Sequence, residues 1–248
     1  MEPLVSVITP TVRLEGLDIV HKSLEKQTYK NWEWLVGSKI DPHIKEAIWV
    51  EDNFSGGIWT LNRIYNKLIK KAHGKIIMSL QDWIWIHPDT IQKFIDDFEQ
   101  MGDIIISGVG DQYEKLDEWG KPQVKIWSDP RRNNQYGSFY EIFPQDVEWN
   151  LCALPKKFLL EVGGFDEALD KYYGMDGYQV NARMDVLKHQ FYIDQGIESL
   201  TLRHGRESYG GEDNWNKNNN MSNGNYQKRK DELIKSGMWP KLKYLSSK

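Results

Sequence analysis

Short apolar runs alternate with amphipathic segments along the first 107 residues, and this alternation limits the possible fold more than any other feature. The runs are rich in Val and Ile, and several of them stop at Pro, Gly or acidic residues, as buried strands do. The segments between them repeat apolar residues every three or four positions, which is typical of helices. The predicted strands are 4–8, 32–36, 47–50, 75–80 and 103–107, with helices over 16–27, 58–72 and about 88–98. This order predicts an α/β fold with a parallel sheet covered by helices.

The carboxyl ends of the predicted strands are the expected ligand site. In an open parallel sheet, ligands bind beyond the ends of the strands, in the crevice between the connecting loops. The residues that follow or close these strands are Pro10, Thr11, Gly37, Ser38, Glu51, Asp52, Gln81 and Asp82. We expect these residues to lie along one edge of the sheet.

The second part of the chain has a weaker pattern. Residues 108–145 are rich in Gly, Asp, Asn, Arg and Pro, and we expect a long loop or small hairpin there. A strand over 149–154 and a helix over 155–162 precede the pair Gly163-Gly164. Residues 208–225 are polar and rich in Asn and Gly, which predicts a mobile segment, and 228–235 are expected to be helical.

Composition excludes several classes of function. The 248 residues carry 32 basic and 36 acidic side chains, interspersed, for a formal charge of −4, which argues against a broad nucleic-acid or anionic-membrane surface. No apolar run reaches the ~18 residues that a membrane span needs. The first residues show no basic leader region, so we expect a cytoplasmic protein. The single cysteine, Cys152, cannot form an intrachain disulfide and is expected to be buried.

Five segments resemble, in order, the motifs of family 2 glycosyltransferases with the GT-A fold. They are Val-Ser-Val-Ile-Thr-Pro-Thr-Val-Arg at 5–13, Leu-Glu-Lys-Gln-Thr-Tyr-Lys-Asn-Trp at 24–32, Asn66 followed by Gly74, Gly-Gly-Phe-Asp-Glu at 163–167, and Gly-Met-Asp at 174–176 followed by Arg183. The resemblance covers about residues 4–204. It implies a Rossmann-like, mostly parallel sheet with helices on both faces. It also implies one GT-A domain, with residues 1–107 as the nucleotide-sugar-binding half and 108–248 as the acceptor-binding half with a polar extension.

The resemblance implies an inverting transfer of a sugar from a nucleoside-diphosphate sugar, expected to be UDP-linked, to a glycan or other hydroxyl acceptor. Asp176 stands where the family has its catalytic base, which takes the proton of the attacking hydroxyl. A helix start keeps a carboxylate ionised, so neighbours would have to raise its pKa for this role. The alternative role of Asp176 is an ordinary helix cap. Asp166 and Glu167 are expected to position the turn, and Arg183 to pair with a carboxylate.

The metal motif of the family is incomplete in this chain. The family closes its fourth strand with Asp-x-Asp, whereas Leu-Gln-Asp-Trp-Ile at 80–84 offers only Asp82. The resemblance still implies a divalent cation, Mn²⁺ or Mg²⁺, held by Asp82 and His204, because these ions keep waters and take phosphate oxygens. The alternatives are a cap for Asp82 and a surface position for His204. Basic residues would then carry the diphosphate: Lys39, Arg203, Arg206 or the pair Arg131-Arg132.

The expected nucleotide contacts combine the strand ends with positions implied by the resemblance. They are Pro10, Thr11, Arg13, Gly37, Ser38, Asp52, Asn66, Gln81 and Arg203. Trp83, Trp85 and Tyr173 are candidates for stacking on a sugar, against the alternative of core packing.

Two other functions stay open at this level. A sugar-1-phosphate nucleotidyltransferase has a similar sheet, but it needs a Gly-rich phosphate loop where this chain reads Pro-Thr-Val-Arg-Leu-Glu. A catalytically degenerate protein that binds a glycan or nucleotide is motivated by the lost aspartates.

Overall fold

A computed structural model describes residues 4–53, 60–116, 121–132, 137–172, 177–204 and 212–245. The ten strands within these ranges form one continuous sheet. They are β1 (Val5–Pro10), β2 (Trp32–Ser38), β3 (Ala47–Glu51), β4 (Ile76–Leu80), β5 (Ile84–Ile86), β6 (Ile105–Tyr113), β7 (Lys125–Trp127), β8 (Phe139–Glu141), β9 (Leu151–Pro155) and β10 (Phe191–Leu202). Eight of them lie in the order β3-β2-β1-β4-β9-β6-β10-β5, with β7 beside β6 and β8 beside β10. Strands from both halves of the chain therefore share one sheet.

Six of the described strands point the same way and end at the same edge of the sheet. β1 is parallel to β2 and β4, β2 is parallel to β3, and β6 is parallel to β10. β9 is antiparallel to both β4 and β6, so it begins where those two strands end. We call this the carboxyl edge: it carries the ends of β1, β2, β3, β4, β6 and β10 and the start of β9. Residues that follow the first strands and residues that precede β9 are therefore neighbours.

Helices cover both faces of the sheet. Helices α1 (Leu17–Glu25) and α3 (Thr90–Met101) pack on one face, while α2 (Leu61–Lys71), α4 (Lys156–Val162) and α5 (Gly177–Val186) pack on the other. Successive residues of β1 alternate between the two cores, with Val7 in the first and Ile8 in the second, as the pleat of a strand requires. The last helix is α6 (Glu212–Lys235). Among the described residues, no helix is long and apolar enough to span a bilayer.

The predicted α/β fold with helices on both faces is confirmed, and the sheet is mixed because β9, β5, β7 and β8 run against their neighbours. The expected hairpin within 108–145 exists, since β6 continues to Tyr113 and pairs with β7. The segment 208–225 is predicted to be mobile, and the structure shows it as helical from Glu212 onward, where α6 begins. The later part of α6 is held to the rest of the fold, since Arg229 pairs with Asp166. Cys152 is fully buried, as expected, and burial raises the pKa of its thiol.

The glycine pair after α4 has a packing function. Gly163 and Gly164 adopt φ angles of 75° and 85°, the left-handed region in which L side chains are strained. A Cβ on Gly163 would lie 1.8 Å from the carbonyl oxygen of Leu242. The amide of Leu242 donates to the carbonyl of Val162 at 2.8 Å. The pair therefore ends the helix and lets the C-terminal segment cross it at backbone contact distance.

Candidate functional site

The strand-end residues that the sequence singles out do lie together on the carboxyl edge. The amide of Thr11, just after β1, donates to the carbonyl of Gly37 at the end of β2 (2.8 Å). The amide of Asp52, just after β3, donates to the carbonyl of Ser38 (2.9 Å). Pro10, the last residue of β1, pairs with Gly37 in the parallel ladder. The ends of three adjacent strands are thus tied into one surface.

Two of these residues are used by the fold itself. A Cβ on Gly37 would lie 2.4 Å from a side-chain carbon of Ile64, so the glycine allows α2 to pack closely against β2. The hydroxyl of Ser38 donates to the carbonyl of Ile40 at 2.7 Å. Both residues have their backbone at the carboxyl edge, but the missing side chain of Gly37 makes room for α2 and the hydroxyl of Ser38 is bonded within its own turn.

Asp52 is held by the residues that open α2. Its Oδ2 accepts a hydrogen bond from the hydroxyl of Thr60 (2.6 Å), and its Oδ1 lies 3.7 Å from Nη2 of Arg63. Thr60 and Arg63 were not singled out from the sequence, because only the fold brings the start of α2 to the end of β3. The group offers a carboxylate and a guanidinium beside the ends of β2 and β3.

Arg13, Thr11 and Asp82 form a compact polar group between the ends of β1 and β4. The guanidinium of Arg13 donates from Nη2 to Oδ1 of Asp82 (2.5 Å) and from Nε to Oδ2 (3.1 Å). The hydroxyl of Thr11 donates to Oδ2 of Asp82 (2.6 Å) and accepts from the amide of Arg13 (2.9 Å). The side chains of Arg13 and Asp82 are only 11% and 4% exposed. Nη1 of Arg13 is also buried, and it has no hydrogen-bond partner among the described residues.

Trp83 and His204 adjoin this group. Trp83 has a φ of 62°, and its ring stacks on the imidazole of His204 with the centroids 5.9 Å apart. A Cβ on Gly16 would come within 2.6 Å of the indole, so the ring lies against that backbone. Nδ1 of His204 lies 3.0 Å from the carbonyl oxygen of Leu202. His204 is thus oriented by its own strand end and by Trp83.

The described side chains do not fit a divalent cation at Asp82. Both oxygens of this carboxylate already accept hydrogen bonds from Arg13, and Oδ2 accepts a further one from Thr11. A cation there would face the adjacent guanidinium charge. No group of three His, Cys, Asp or Glu residues in a metal-binding arrangement occurs within the described part of the chain. The donor set around Asp82 is that of a paired carboxylate.

The other expected nucleotide contacts lie in different places. Gln81 is at the carboxyl edge, where its amide donates to the carbonyl of Asn150 (3.1 Å). Arg203 is exposed and pairs with Glu114 at 2.8 Å, on the rim beyond β10. Asn66 is 1% exposed inside α2, and its amide group bonds Phe165 and Glu167 at 2.8–2.9 Å. The structure therefore places Asn66 in the interior, beside the Gly-Gly-Phe-Asp-Glu segment.

That segment holds the C-terminal part of the chain. The fully buried carboxylate of Asp166 accepts hydrogen bonds from Arg229 at 2.6 and 3.2 Å and from the hydroxyl of Tyr244 at 3.0 Å. It also caps its own turn through the amide of Ala168, as expected. Arg183 is fully buried and donates to the carbonyls of Val162 and Gly164, at 3.0 and 2.8 Å. Asp166 and Arg183 therefore stabilise the connection between α4, α5 and α6.

Some candidates cannot be placed. Asp176 and Tyr173 lie outside the described residues, as does Arg206, and the first described residue after Asp176 is Gly177, which begins α5. Trp85 is buried, 6% exposed, in a small cluster with Tyr113 and Leu200. The core-packing interpretation therefore applies to Trp85.

Arg131 and Arg132 both form hydrogen bonds with carboxylates. Arg131 donates to both oxygens of Asp129, and Arg132 donates to Asp111 (3.1 Å) and Glu198 (2.8 Å). Their charges are balanced by these partners. No periodic signal in 108–145 could have indicated the network, because its members come from β6, β10 and the loop after β7.

Comparison with known proteins identifies the fold. No protein-family model matches the sequence, and no curated protein matches it. Among solved structures, S. aureus TarS 1–349 in complex with UDP matches with a TM-score of 0.60 at 13% identity, over 84% of this chain and 62% of that one. The mannosyltransferase PcManGT from Pyrobaculum calidifontis, in complex with GDP-Man and Mn²⁺, matches with a TM-score of 0.60 at 14% identity, over 85% and 60%. GalNAc-T7 with UDP, GalNAc and Mn²⁺ matches with a TM-score of 0.62 at 13% identity, over 82% and 44%.

The chain has a GT-A-like fold. At such low identity the likeness shows the fold alone. The chain spans about 60% of the length of the first two of these proteins. Their activities are considered only as support for the proposal that follows.

Proposed function

We propose that this protein is an inverting glycosyltransferase of the family 2 type, which moves a sugar from a nucleoside-diphosphate sugar to an acceptor hydroxyl. The observation that carries the proposal is the buried group of Thr11, Arg13 and Asp82. It lies at the carboxyl edge of a GT-A-like sheet, where the ligands of such sheets bind. The five sequence motifs, which occur in the family's order from 5–13 to Arg183, support the same function. TarS and GalNAc-T7 were both solved with UDP, which supports a UDP-linked donor.

The donor nucleotide would lie along the ends of β1, β2 and β3. Asp52 and Arg63 provide a carboxylate and a guanidinium there for the ribose and base. We propose that Arg13 contacts the diphosphate, which is supported by its Nη1, a donor without a hydrogen-bond partner among the described residues. Hydrogen bonds from a guanidinium to a phosphate are charge-assisted and about twice as strong as neutral ones.

Charge compensation for the leaving diphosphate is proposed to come from basic side chains. PcManGT and GalNAc-T7 were crystallised with Mn²⁺, and the sequence resemblance also implies a divalent cation. The donor set around Asp82 does not fit such an ion, because Arg13 and Thr11 already occupy the carboxylate. We therefore assign no step to a metal: in this proposal Arg13 donates a hydrogen bond to the diphosphate, and the exposed Lys39 after β2 supplies the positive charge.

Asp176 is proposed as the base. The acceptor oxygen attacks the anomeric carbon, the bond from this carbon to the phosphate oxygen breaks, and the nucleoside diphosphate leaves from the opposite side. The acceptor proton goes to Asp176. This residue immediately precedes α5, whose first amide groups favour an ionised carboxylate.

The test is a calorimetric titration with UDP, GDP and CDP, with and without Mn²⁺, followed by assay of UDP-sugar turnover. The proposal expects binding of one nucleotide, UDP, and release of UDP from a UDP-sugar. Tight binding without any turnover would favour the second candidate, a degenerate nucleotide-binding protein, which the occupied Asp82 also favours. Failure to bind any of the three nucleotides would refute both functions.

A further inference from the structure

A cavity of about 290 Å³ opens at the carboxyl edge on the side away from Arg13. Its floor is the end of β6 and β10, including Gln112 and Thr201, and its walls carry Trp127, Glu148 and Asn150. We call it the β6–β10 cavity. Of its lining residues, the sequence singled out Arg131 alone, as an alternative contact for the diphosphate.

The cavity adjoins the proposed donor site through backbone contacts. The carbonyl of Asn150, whose residue lines the cavity, accepts a hydrogen bond from the amide of Gln81, the residue before Asp82. On the other side, the amide of Leu202 donates to the carbonyl of Trp83 at 2.8 Å. A molecule in the β6–β10 cavity would therefore lie beside the Thr11–Arg13–Asp82 group, separated from it by the chain at Gln81.

Arg131 connects several segments of the cavity wall through hydrogen bonds. Its guanidinium donates to the hydroxyl of Ser107, to the carbonyls of Gly108 and Asp146, and to both oxygens of Asp129. Burial alone would raise the pKa of Asp129, but the hydrogen bonds from Arg131 and from the amide of Gly110 hold it below its ordinary value. Asp129 is therefore ionised and balances the charge of Arg131. The role of Arg131 is consequently to stabilise the fold around the cavity.

Glu148 is, with Asp146, one of two lining residues whose carboxylates have no hydrogen bond or ion pair within the part of the chain that the structure describes. Its amide donates to the hydroxyl of Ser107 (3.2 Å), which fixes its backbone, whereas no hydrogen bond or ion pair is found for its carboxylate. The surrounding protein raises the pKa of this carboxyl through burial, and the charges of Asp129 and Asp146 act in the same direction against that of Arg131. The side chain itself faces the open cavity.

Trp127 supplies the apolar surface. Its side chain is 45% exposed, and all three residues of its strand, β7, are exposed. This exposure is unusual, because tryptophan residues are on average largely buried in proteins. The same cavity is lined by the carboxylate of Glu148 and by Gln112 and Asn150, and an indole together with such polar residues matches a sugar ring. The C–H face of the ring packs on the indole, and its hydroxyls hydrogen-bond to the polar groups. The cavity volume is at the lower end of the ~300–1,000 Å³ of ligand pockets, which suits one ring.

The charges of the lining define the class of sugar. Three carboxylates, Asp129, Asp146 and Glu148, face one guanidinium, Arg131, which is already neutralised. An anionic sugar would meet a negative wall without a matching cation, whereas the hydroxyls of a neutral sugar can donate to Glu148.

We propose that the β6–β10 cavity binds a neutral, hydroxyl-rich pyranose unit of the acceptor, with Trp127 as its stacking surface and Glu148 as its hydrogen-bond acceptor. The inference rests on the proposed glycosyl transfer for the role of the sugar as acceptor. The binding of the sugar itself does not depend on that reaction.

The test uses the whole protein and ligand-observed NMR with methyl glycosides of glucose, galactose, mannose and N-acetylglucosamine, and with methyl glucuronide as the anionic probe. At least one neutral glycoside should bind, and the glucuronide should bind more weakly. Trp127→Ala and Glu148→Gln should each weaken binding about tenfold or more, the value of one aromatic contact or one charged hydrogen bond. The matched controls Phe143→Ala and Glu141→Gln alter an exposed aromatic and an exposed carboxylate outside the lining, and they should bind normally.

UDP titration and thermal unfolding of the same variants show whether the cavity proposal or the glycosyltransferase proposal has failed. Both should be unchanged in Trp127→Ala and Glu148→Gln, because neither side chain touches the Thr11–Arg13–Asp82 group or the core. Glycoside binding that survives both substitutions, or no binding of any neutral glycoside, would overturn the cavity proposal. Loss of UDP binding in these variants would also overturn it, since the cavity would then belong to the donor. A wild-type protein that binds the glycoside through Trp127 but binds no nucleotide would retain the cavity and refute the transferase.

Discussion

The guanidinium of Arg13 spans both carboxylate oxygens of Asp82, with Nη2 2.5 Å from Oδ1 and Nε 3.1 Å from Oδ2. The two residues are 69 positions apart in the chain and meet because β1 and β4 are parallel neighbours. Both side chains are mostly buried, so each charge depends on the other. This pair stands where the resemblance implies a metal ligand.

The first prediction concerns the pair itself. Replacing Arg13 alone would leave a buried, unpaired carboxylate, so the informative protein carries Arg13→Gln together with Asp82→Asn. We expect UDP to bind this double variant about tenfold to a hundredfold more weakly, since a charged hydrogen bond to phosphate is lost. Calorimetry measures the effect, with the exposed Lys70→Gln as a control that should bind normally. EDTA should leave the binding of UDP to the wild-type protein unchanged. If EDTA abolished UDP binding, the result would contradict the prediction and support a metal ion at Asp82.

The second prediction concerns the base. Asp176→Asn should reduce transfer by a factor of ~10²–10⁴, the usual contribution of a positioned proton acceptor, while UDP binding stays within about twofold. Initial rates of UDP release with acceptor present measure the first, and calorimetry measures the second. Asp185→Asn, an exposed aspartate of α5, is the matched control and should keep full activity. Normal turnover of Asp176→Asn would remove this residue from the mechanism.

The third prediction separates backbone strain from packing. Gly237 and Gly163 each follow a helix and have similar φ angles, 69° and 75°, but a Cβ on Gly237 meets nothing within 4 Å while one on Gly163 meets Leu242 at 1.8 Å. Gly237→Ala should lower the free energy of unfolding by ~1–2 kcal/mol, the cost of a left-handed alanine. Gly163→Ala should lower it by clearly more, because the C-terminal segment must move. Urea unfolding measures both changes in the free energy of unfolding. Equal changes in the two variants would contradict the prediction, because they would show that the segment at Leu242 moves away at no cost.

The fourth prediction concerns pH. Burial, together with the charges of Asp194 and Asp96, raises the pKa of Asp97 to about 7, and its buried Oδ2 has no hydrogen-bond partner among the described residues. Because an unfolded aspartate ionises near pH ~4, the folded chain retains this proton over a range where the unfolded chain has lost it. The stability contribution is therefore complete below about pH 4 and is lost as pH rises through 7.

Asp97→Asn should remove that loss, so the variant should gain stability relative to the wild type between pH 4 and pH 8. Urea unfolding at the two pH values measures the change. The control Glu99→Gln, an exposed residue on the same helix, should follow the wild-type pH dependence. A variant whose stability difference from the wild type is the same at both pH values would contradict the assignment.

The sequence by itself determined the α/β class, because hydrophobic periodicity reports which face of each element is buried. It also located the carboxyl edge, since strand ends are visible as Pro10, Gly37 and Asp82, and the structure does bring these three positions to one edge. Asp176 remains a sequence-based proposal, because it lies outside the described residues.

Only the tertiary structure decided what the residues at that edge contact. Asp82 carries no local signal that Arg13 will neutralise it, and Asn66 carries none that it will bond Phe165 rather than a nucleotide. The β6–β10 cavity was equally invisible, because Trp127 on β7 and Glu148 before β9 come to line it only when both strands pair with β6. Periodicity encodes burial along one element, whereas charge pairing and cavity lining depend on residues far apart in sequence that only the packed sheet brings together.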